Sequence, residues 1–90
     1  MMKRRKLNGP LRLLAYLLDK DEEITVFKIR KETNLNIQTI YNAIDLLKQL
    51  GFISERYVTG PPVKRLIKLT EKGKEAAYHA KRLLELAGEL

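Results

Sequence analysis

The sequence predicts a mainly α domain with a small β-hairpin: three helices, a hairpin and a long C-terminal helix. Three observations predict it. Ile37, Ile40, Ile44, Leu47 and Leu50 recur at spacings of three and four, the inward stripe of an amphipathic helix. Two stretches with strand propensity flank Thr59-Gly60-Pro61-Pro62, a turn by composition. A second repeat of three and four occupies the last twenty residues.

Residues 1–8 read as a flexible basic arm with little to bury, 9–70 as the folded domain, and 71–90 as a C-terminal dimerisation helix. Gly9-Pro10 opens the first helix, because proline at the first helical position loses no hydrogen bond. Leu11, Leu14, Ala15 and Leu18 form one stripe, and Leu13 and Leu17 a second, so this helix is covered on two sides. Thr25 caps a second helix over Val26 to about Thr33, with Val26 and Ile29 inward. Ile24 and Leu35 close the ends of that small core. Asn34 suits the left-handed residue that ends a helix, and Asn36 caps the next. The third helix runs to about Leu50 and stops at Gly51. Its outer face carries Gln38, Thr39, Tyr41, Asn42, Asp45, Lys48 and Gln49. The N-terminal half of that face is short and uncharged and both donates and accepts hydrogen bonds, which suits base edges and phosphates.

Phe52 to Val58 and Val63 to Thr70 are the paired strands. Period-2 alternation puts Arg65, Ile67 and Leu69 on one face and Lys64, Leu66 and Lys68 on the other. Ile53, Ile67 and Leu69 or their neighbours are expected to touch the helical core, with the buried face left open by one residue. Thr70 caps the fourth helix, with Glu71 in its first turn, and that helix is expected to reach about Leu90. Its seam of Ala76, Ala80, Leu83, Leu84, Ala87 and Leu90 alternates small residues with leucines, which allows close helix approach to a second copy.

Composition narrows the partners. A chain of 90 residues buries only about 60–65% of its unfolded surface. There is no cysteine to supply a disulfide, so dimerisation is the common remaining route to a larger core. No apolar run approaches the ~20 residues of a membrane span. The stretch after the basic N-terminus is broken by Arg12 and lacks a small-residue cleavage site, so secretion is not expected. Eighteen basic against eleven acidic residues give a net charge of +7, which points to a polyanion. The charge is placed in patches: Lys3, Arg4, Arg5 and Lys6 form a run, and Arg56, Lys64, Arg65 and Lys68 follow Glu55 without another acid.

The order helix, helix, turn, helix, hairpin, helix resembles the winged helix-turn-helix fold. More narrowly it resembles small prokaryotic transcriptional regulators of the MarR, PadR and ArsR kind. ITVFKIRKETNLNIQTIYNAIDLLKQLGFI (24–53) resembles their helix-turn-helix, ending in the signature of Ile44, Leu47, Gly51, Phe52 and Ile53. SERYVTGPPVKRLIKLT (54–70) resembles the wing, and LTEKGKE (69–75) the start of their C-terminal helix. Two positions depart from the pattern. Arg30 stands where a small residue is usual, and Asn42 where an arginine is frequent. The Gly-Pro-Pro tip is shared with winged domains that bind Z-form DNA. Those need an asparagine and a tyrosine where this chain has Tyr41 and Asp45, which excludes that reading.

The resemblance implies a sequence-specific double-stranded DNA-binding transcriptional regulator acting as a cytoplasmic, nucleoid-associated homodimer. Helix 36–50 would enter the major groove and wing 56–68 would lie on the backbone or in the minor groove. Gln38, Thr39, Tyr41 and Asn42 are the base-contact candidates. Asn42 or Gln38 can pair with adenine, and Thr39 can meet a thymine methyl or a phosphate. Tyr41 either reads a base or packs its ring and presents only its hydroxyl. Arg56, Lys64, Arg65, Lys68 and Lys48 are the backbone and wing candidates. The arm Lys3, Arg4, Arg5 and Lys6 either follows the DNA or is a disordered tail. His79, the only histidine, has no second histidine or cysteine to share a metal, so neither metal nor cofactor is expected. No nucleophile pair or phosphate loop suggests an enzyme. Two alternatives stay open: a chromatin-type protein that coats DNA without sequence preference, and a winged-helix module that binds protein.

Overall fold

A computed structural model describes residues 9–20 and 22–89. The arm candidates Lys3, Arg4, Arg5 and Lys6, and the seam residue Leu90, lie outside the described residues. The elements run α1 (Gly9–Leu18), β1 (Ile24–Thr25), α2 (Val26–Thr33), α3 (Ile37–Gln49), β2 (Ile53–Val58), β3 (Lys64–Leu69) and α4 (Glu71–Leu86). No helix among the described residues is long and apolar enough to cross a membrane.

The caps follow from the sequence. The Thr25 hydroxyl accepts from the Lys28 N–H at 3.1 Å, and the Asn36 side chain accepts from the Gln38 N–H at 2.8 Å. Each satisfies a first-turn donor that has no partner within its helix. Asn34 adopts φ 59°, the left-handed end between α2 and α3. Gly51 follows α3 at φ 79°, a conformation that a side chain would strain. Thr70 does two jobs: its hydroxyl accepts from the Gly73 N–H at 2.9 Å and donates to the Gly51 carbonyl at 2.7 Å. The start of α4 is thereby tied to the end of α3.

The sheet has three antiparallel strands in the order β1-β3-β2. The two-residue β1 was not expected from the sequence, which treated Ile24 only as an apolar lid. Ile24 pairs with Ile67, and Ile53 with Leu69. These four side chains face the helices and are buried, as the alternation requires. With Leu13, Leu14, Leu17, Val26, Ile29, Ile40, Ala43, Ile44 and Leu47 they make one core.

Three expectations about the helices need correction. Leu50 is 44% exposed, because α3 ends at Gln49 and the chain turns at Gly51 before Leu50 can reach the core. The inward position that the spacing missed is Ala43, fully buried in the middle of α3. Helix α4 stops at Leu86, since Gly88 takes φ 75° in a turn that ends it short of Leu90.

The expected dimer seam is also divided. Ala80 and Leu84 are buried within the chain, and Ala77 with them, on the face of α4 that packs against α1. The second covered side of α1 is therefore supplied by α4 of the same copy. Arg12 to Glu89 at 3.3 Å and Lys81 to Asp19 at 3.5 Å border that packing. Of the seam candidates, Ala76 is half-buried against the core, while Leu83 and Ala87 remain exposed. Leu86, absent from the expected seam, is exposed beside them.

Candidate nucleic-acid interface

The exposed face of α3 that carries the base-contact candidates begins at its N-terminus, where Asn36 fixes the first turn. Gln38 and Asn42 are exposed one turn apart, and the Gln38 side-chain amide donates to the Asn42 Oδ1 at 3.0 Å. The pair at i and i+4 holds two amides side by side on one surface. Tyr41 lies next to them and is exposed. Thr39 differs: it is half-buried, and its methyl faces α1 so closely that a Cβ on Gly9 would sit 2.5 Å from it. That methyl seats the two helices against each other. Three of the four base-contact candidates thus share one exposed surface.

The basic candidates do not form one patch. The alternation that buries Ile53, Ile67 and Leu69 also turns Glu55 and Arg65 toward α3. Glu55 has a side chain only 2% exposed and uses both carboxylate oxygens. Its Oε1 accepts from Lys48 Nζ at 2.6 Å, and its Oε2 from Arg65 Nε at 2.5 Å. Burial pushes the Glu55 carboxyl up, but these two cations and their hydrogen bonds outweigh it and hold the group below its ordinary 4.5. The same hydrogen bond raises Lys48 above its ordinary value. The Arg65 guanidinium lies 5.2 Å from the centre of the Tyr41 ring and 5.8 Å from that of Tyr57. It is a cation held by one acid and two aromatic faces.

On the other face of the sheet, Arg56 donates to Glu23 through Nε at 2.6 Å and Nη2 at 2.7 Å. This two-pronged pair crosses the three strands and holds Glu23 below its ordinary range, chiefly through the hydrogen bond. The expectation of an acid-free wing is therefore corrected. Arg56, Arg65 and Lys48 each have a carboxylate partner, whereas Lys64 and Lys68 make no ion pair among the described residues. Lys68 sits on the outer face with Arg56, away from α3.

A cleft separates α2 and the start of α3 from the wing tip. Phe27, Arg30, Ile37, Tyr41, Val63, Lys64 and Arg65 are among the residues that line it. None of its lining residues is acidic. Arg30, noted in the sequence only as a departure, and Phe27, 76% exposed, are the side chains that sequence reasoning missed here. A shallower groove beside it adds Lys31, next to Asn36 and Ile37. The only signal in the sequence was the mismatch itself: a long cation where a close helix approach calls for a small residue.

Comparison with known proteins places this geometry. The chain is 40% identical over 77 residues to Protein F-93 of Sulfolobus spindle-shape virus 1, covering 81% of this chain and 78% of that one. The crystal structure of SSV1 F-93 superposes with a TM-score of 0.72 at 30% identity, over 98% of both chains. Bacillus subtilis PadR, solved in complex with operator DNA, shares the fold with a TM-score of 0.68 at 20% identity. That match takes in 78% of this chain and 44% of PadR. The model of the F-93 winged-helix domain matches residues 12–73, which contain all of α2, α3 and the wing. The chain belongs to the F-93 winged-helix domain family.

Proposed function

We propose that this protein is a transcriptional regulator that binds specific sequences in double-stranded DNA as a homodimer. One observation carries the reading: Gln38, Tyr41 and Asn42 form an exposed, uncharged hydrogen-bonding surface at the start of α3, beside a cleft lined by cations and no acid. The α3 helix would present this surface to base edges in the major groove, about 12 Å wide. Arg30 and Lys64 would take phosphates on either side, and the wing would meet the backbone or minor groove. Operator DNA in the PadR structure supports the assignment for this fold.

The α4 face that is left open, with Leu83 46% and Leu86 69% exposed, would cover its counterpart in a second copy. A two-fold pair then sets two α3 helices on half-sites about 34 Å apart. The pairing of Arg56, Arg65 and Lys48 with acids disfavours a protein that coats DNA by charge alone. A DNA-bound regulator of this kind works in the cytoplasm on the nucleoid and is not an enzyme.

The test is a titration of labelled duplexes across a salt series, comparing a site selected from a random pool with random duplex. A preference of at least about 1,000-fold for the selected site supports the reading. A steep salt dependence with no preference would overturn specific regulation in favour of coating. No binding at low salt would leave a protein-binding module. Sedimentation showing only a 10.5 kDa species at micromolar concentration would remove the homodimer.

A further inference from the structure

We infer that Glu55 is a positioning and specificity-determining residue. It withholds two cations from the DNA backbone and uses them to lock the reading helix to the wing. The inference rests on the DNA-binding reading above and deepens it.

Glu55 joins two elements. A side chain 2% exposed sits at the root of the wing, and each of its oxygens takes a cation from a different element. Lys48 comes from the C-terminal half of α3, and Arg65 from β3. Arg65 in turn lies across Tyr41, one of the three residues on the reading surface. A single carboxylate therefore sets the wing's distance from α3 and the position of the Tyr41 ring.

The charge consequence is separate. Lys48 and Arg65 are both hydrogen-bonded to one buried anion, so neither counts among the cations free for phosphate. Each phosphate neutralised contributes about 0.9 to the slope of log affinity against log salt. A lysine or arginine already hydrogen-bonded to a carboxylate must give up that bond to contribute. Glu55 thus lowers the sequence-independent part of binding while ordering the part that reads sequence. A merely structural glutamate would do neither.

Glu55→Gln keeps the shape and removes the charge. Its salt slope on random duplex should steepen by about 1 to 2 for each copy bound as Lys48 and Arg65 become free for phosphate. Affinity for random duplex should rise several-fold at low salt, and the ratio of selected site to random duplex should fall. Lys48→Gln, at an exposed helix position, is the second arm. Its slope should match that of the unsubstituted protein, while Lys64→Gln should lose about 1 for each copy bound.

A Glu55→Gln protein that binds both duplexes more weakly, with an unchanged or shallower slope, would overturn the inference alone. So would a Lys48→Gln slope that falls as far as that of Lys64→Gln, and this arm stands even if Glu55→Gln does not fold. Absence of any duplex binding by the unsubstituted protein would overturn the DNA-binding reading and this inference with it.

Discussion

Gly73→Ala is the substitution on which local preference and tertiary packing disagree most sharply. Gly73 lies in the first turn of α4, buried, with ordinary helical backbone angles. Helix propensity alone favours alanine over glycine by about 1 kcal/mol in a helix interior. The packing opposes it. A Cβ at this position would sit 1.7 Å from the Phe52 carbonyl oxygen, 2.7 Å from its carbon and 3.1 Å from its Cα. These are backbone atoms, so no side-chain rotation relieves the contact. The Phe52 carbonyl also accepts from the Thr70 N–H at 3.0 Å, and the Thr70 hydroxyl donates to the Gly51 carbonyl at 2.7 Å. Moving α4 away far enough to admit the methyl breaks both. Overpacking costs about 1–3 kcal/mol and sometimes more, and each lost hydrogen bond about 1 kcal/mol. Set against the propensity gain, the net loss is about 2–4 kcal/mol. For a domain this size that lowers Tm by roughly 10–25 °C. Thermal unfolding followed by circular dichroism measures it, with Glu75→Ala on the exposed face of α4 as the control expected within about 0.5 kcal/mol. A Gly73→Ala protein as stable as its parent would refute the close approach of α4 to the α3–β2 turn.

Thr70→Ala removes the α4 cap and the bond to Gly51, and urea denaturation should show a loss of about 1–2 kcal/mol. Asn42→Ala should cost about 1–3 kcal/mol of discrimination at one base position while leaving random-duplex affinity near its starting value, read from competition binding. Leu83→Lys with Leu86→Lys should shift a dimer to monomer in sedimentation without lowering the helix content, because both side chains are exposed in the single copy. Glu55 also sets an acid limit. Its folded pKa lies below the ordinary 4.5, so its stabilising contribution is complete above about pH 4.5. That contribution is lost as pH falls through the folded value. Unfolding measured from pH 6 to pH 3 should show a loss that is smaller in Glu55→Gln, the remainder belonging to the other acids held below their ordinary range, Glu23 and Glu32.

What the sequence made legible was governed by local chemistry. The caps Thr25, Asn36 and Thr70, the left-handed Asn34 and the stop at Gly51 each depend on a few neighbouring residues. Residue type and spacing were enough to place them. The strand register was legible only to within one residue: alternation separates Ile67 from Leu66, and the pairing of Ile67 with Ile24 decides which of the two is buried. What escaped was set by distant partners. Two residues, Ile24 and Thr25, make a strand only because β3 leaves an edge beside them. Ala80 and Leu84 looked like a dimer seam because small residues and leucines suit any helix partner, and the partner turned out to be α1. The wing looked free of acid because Glu23 lies 33 residues before the arginine it holds. Glu55 is the instructive middle case. Glu55 stands opposite Ile67 and so faces the same way as Ile67, Leu69 and Arg65, yet charge made Glu55 and Arg65 look like surface.

The charge that remains for DNA now bears on the number of copies that bind. Near the start of α3, Arg30, Lys31 and Lys64 are exposed and make no ion pair among the described residues. Three phosphate contacts give a salt slope of about −2.7, so one copy would lose about 40-fold in affinity between 50 and 200 mM salt. Two copies on one site would give about −5.4 and lose about 2,000-fold over the same range. If Lys48, Arg56 and Arg65 also contacted phosphate, a single copy would reach the slope expected here of two. The ambiguity is removed by Lys64→Gln, which lowers the slope by about 1 in a one-copy complex and by about 2 when each of two copies loses a contact. A selected-site slope near −5 that falls by 2 on this substitution supports the paired complex with acid-held cations. A fall of only 1 from the same slope would mean that one copy binds and that the carboxylates release their partners to the DNA.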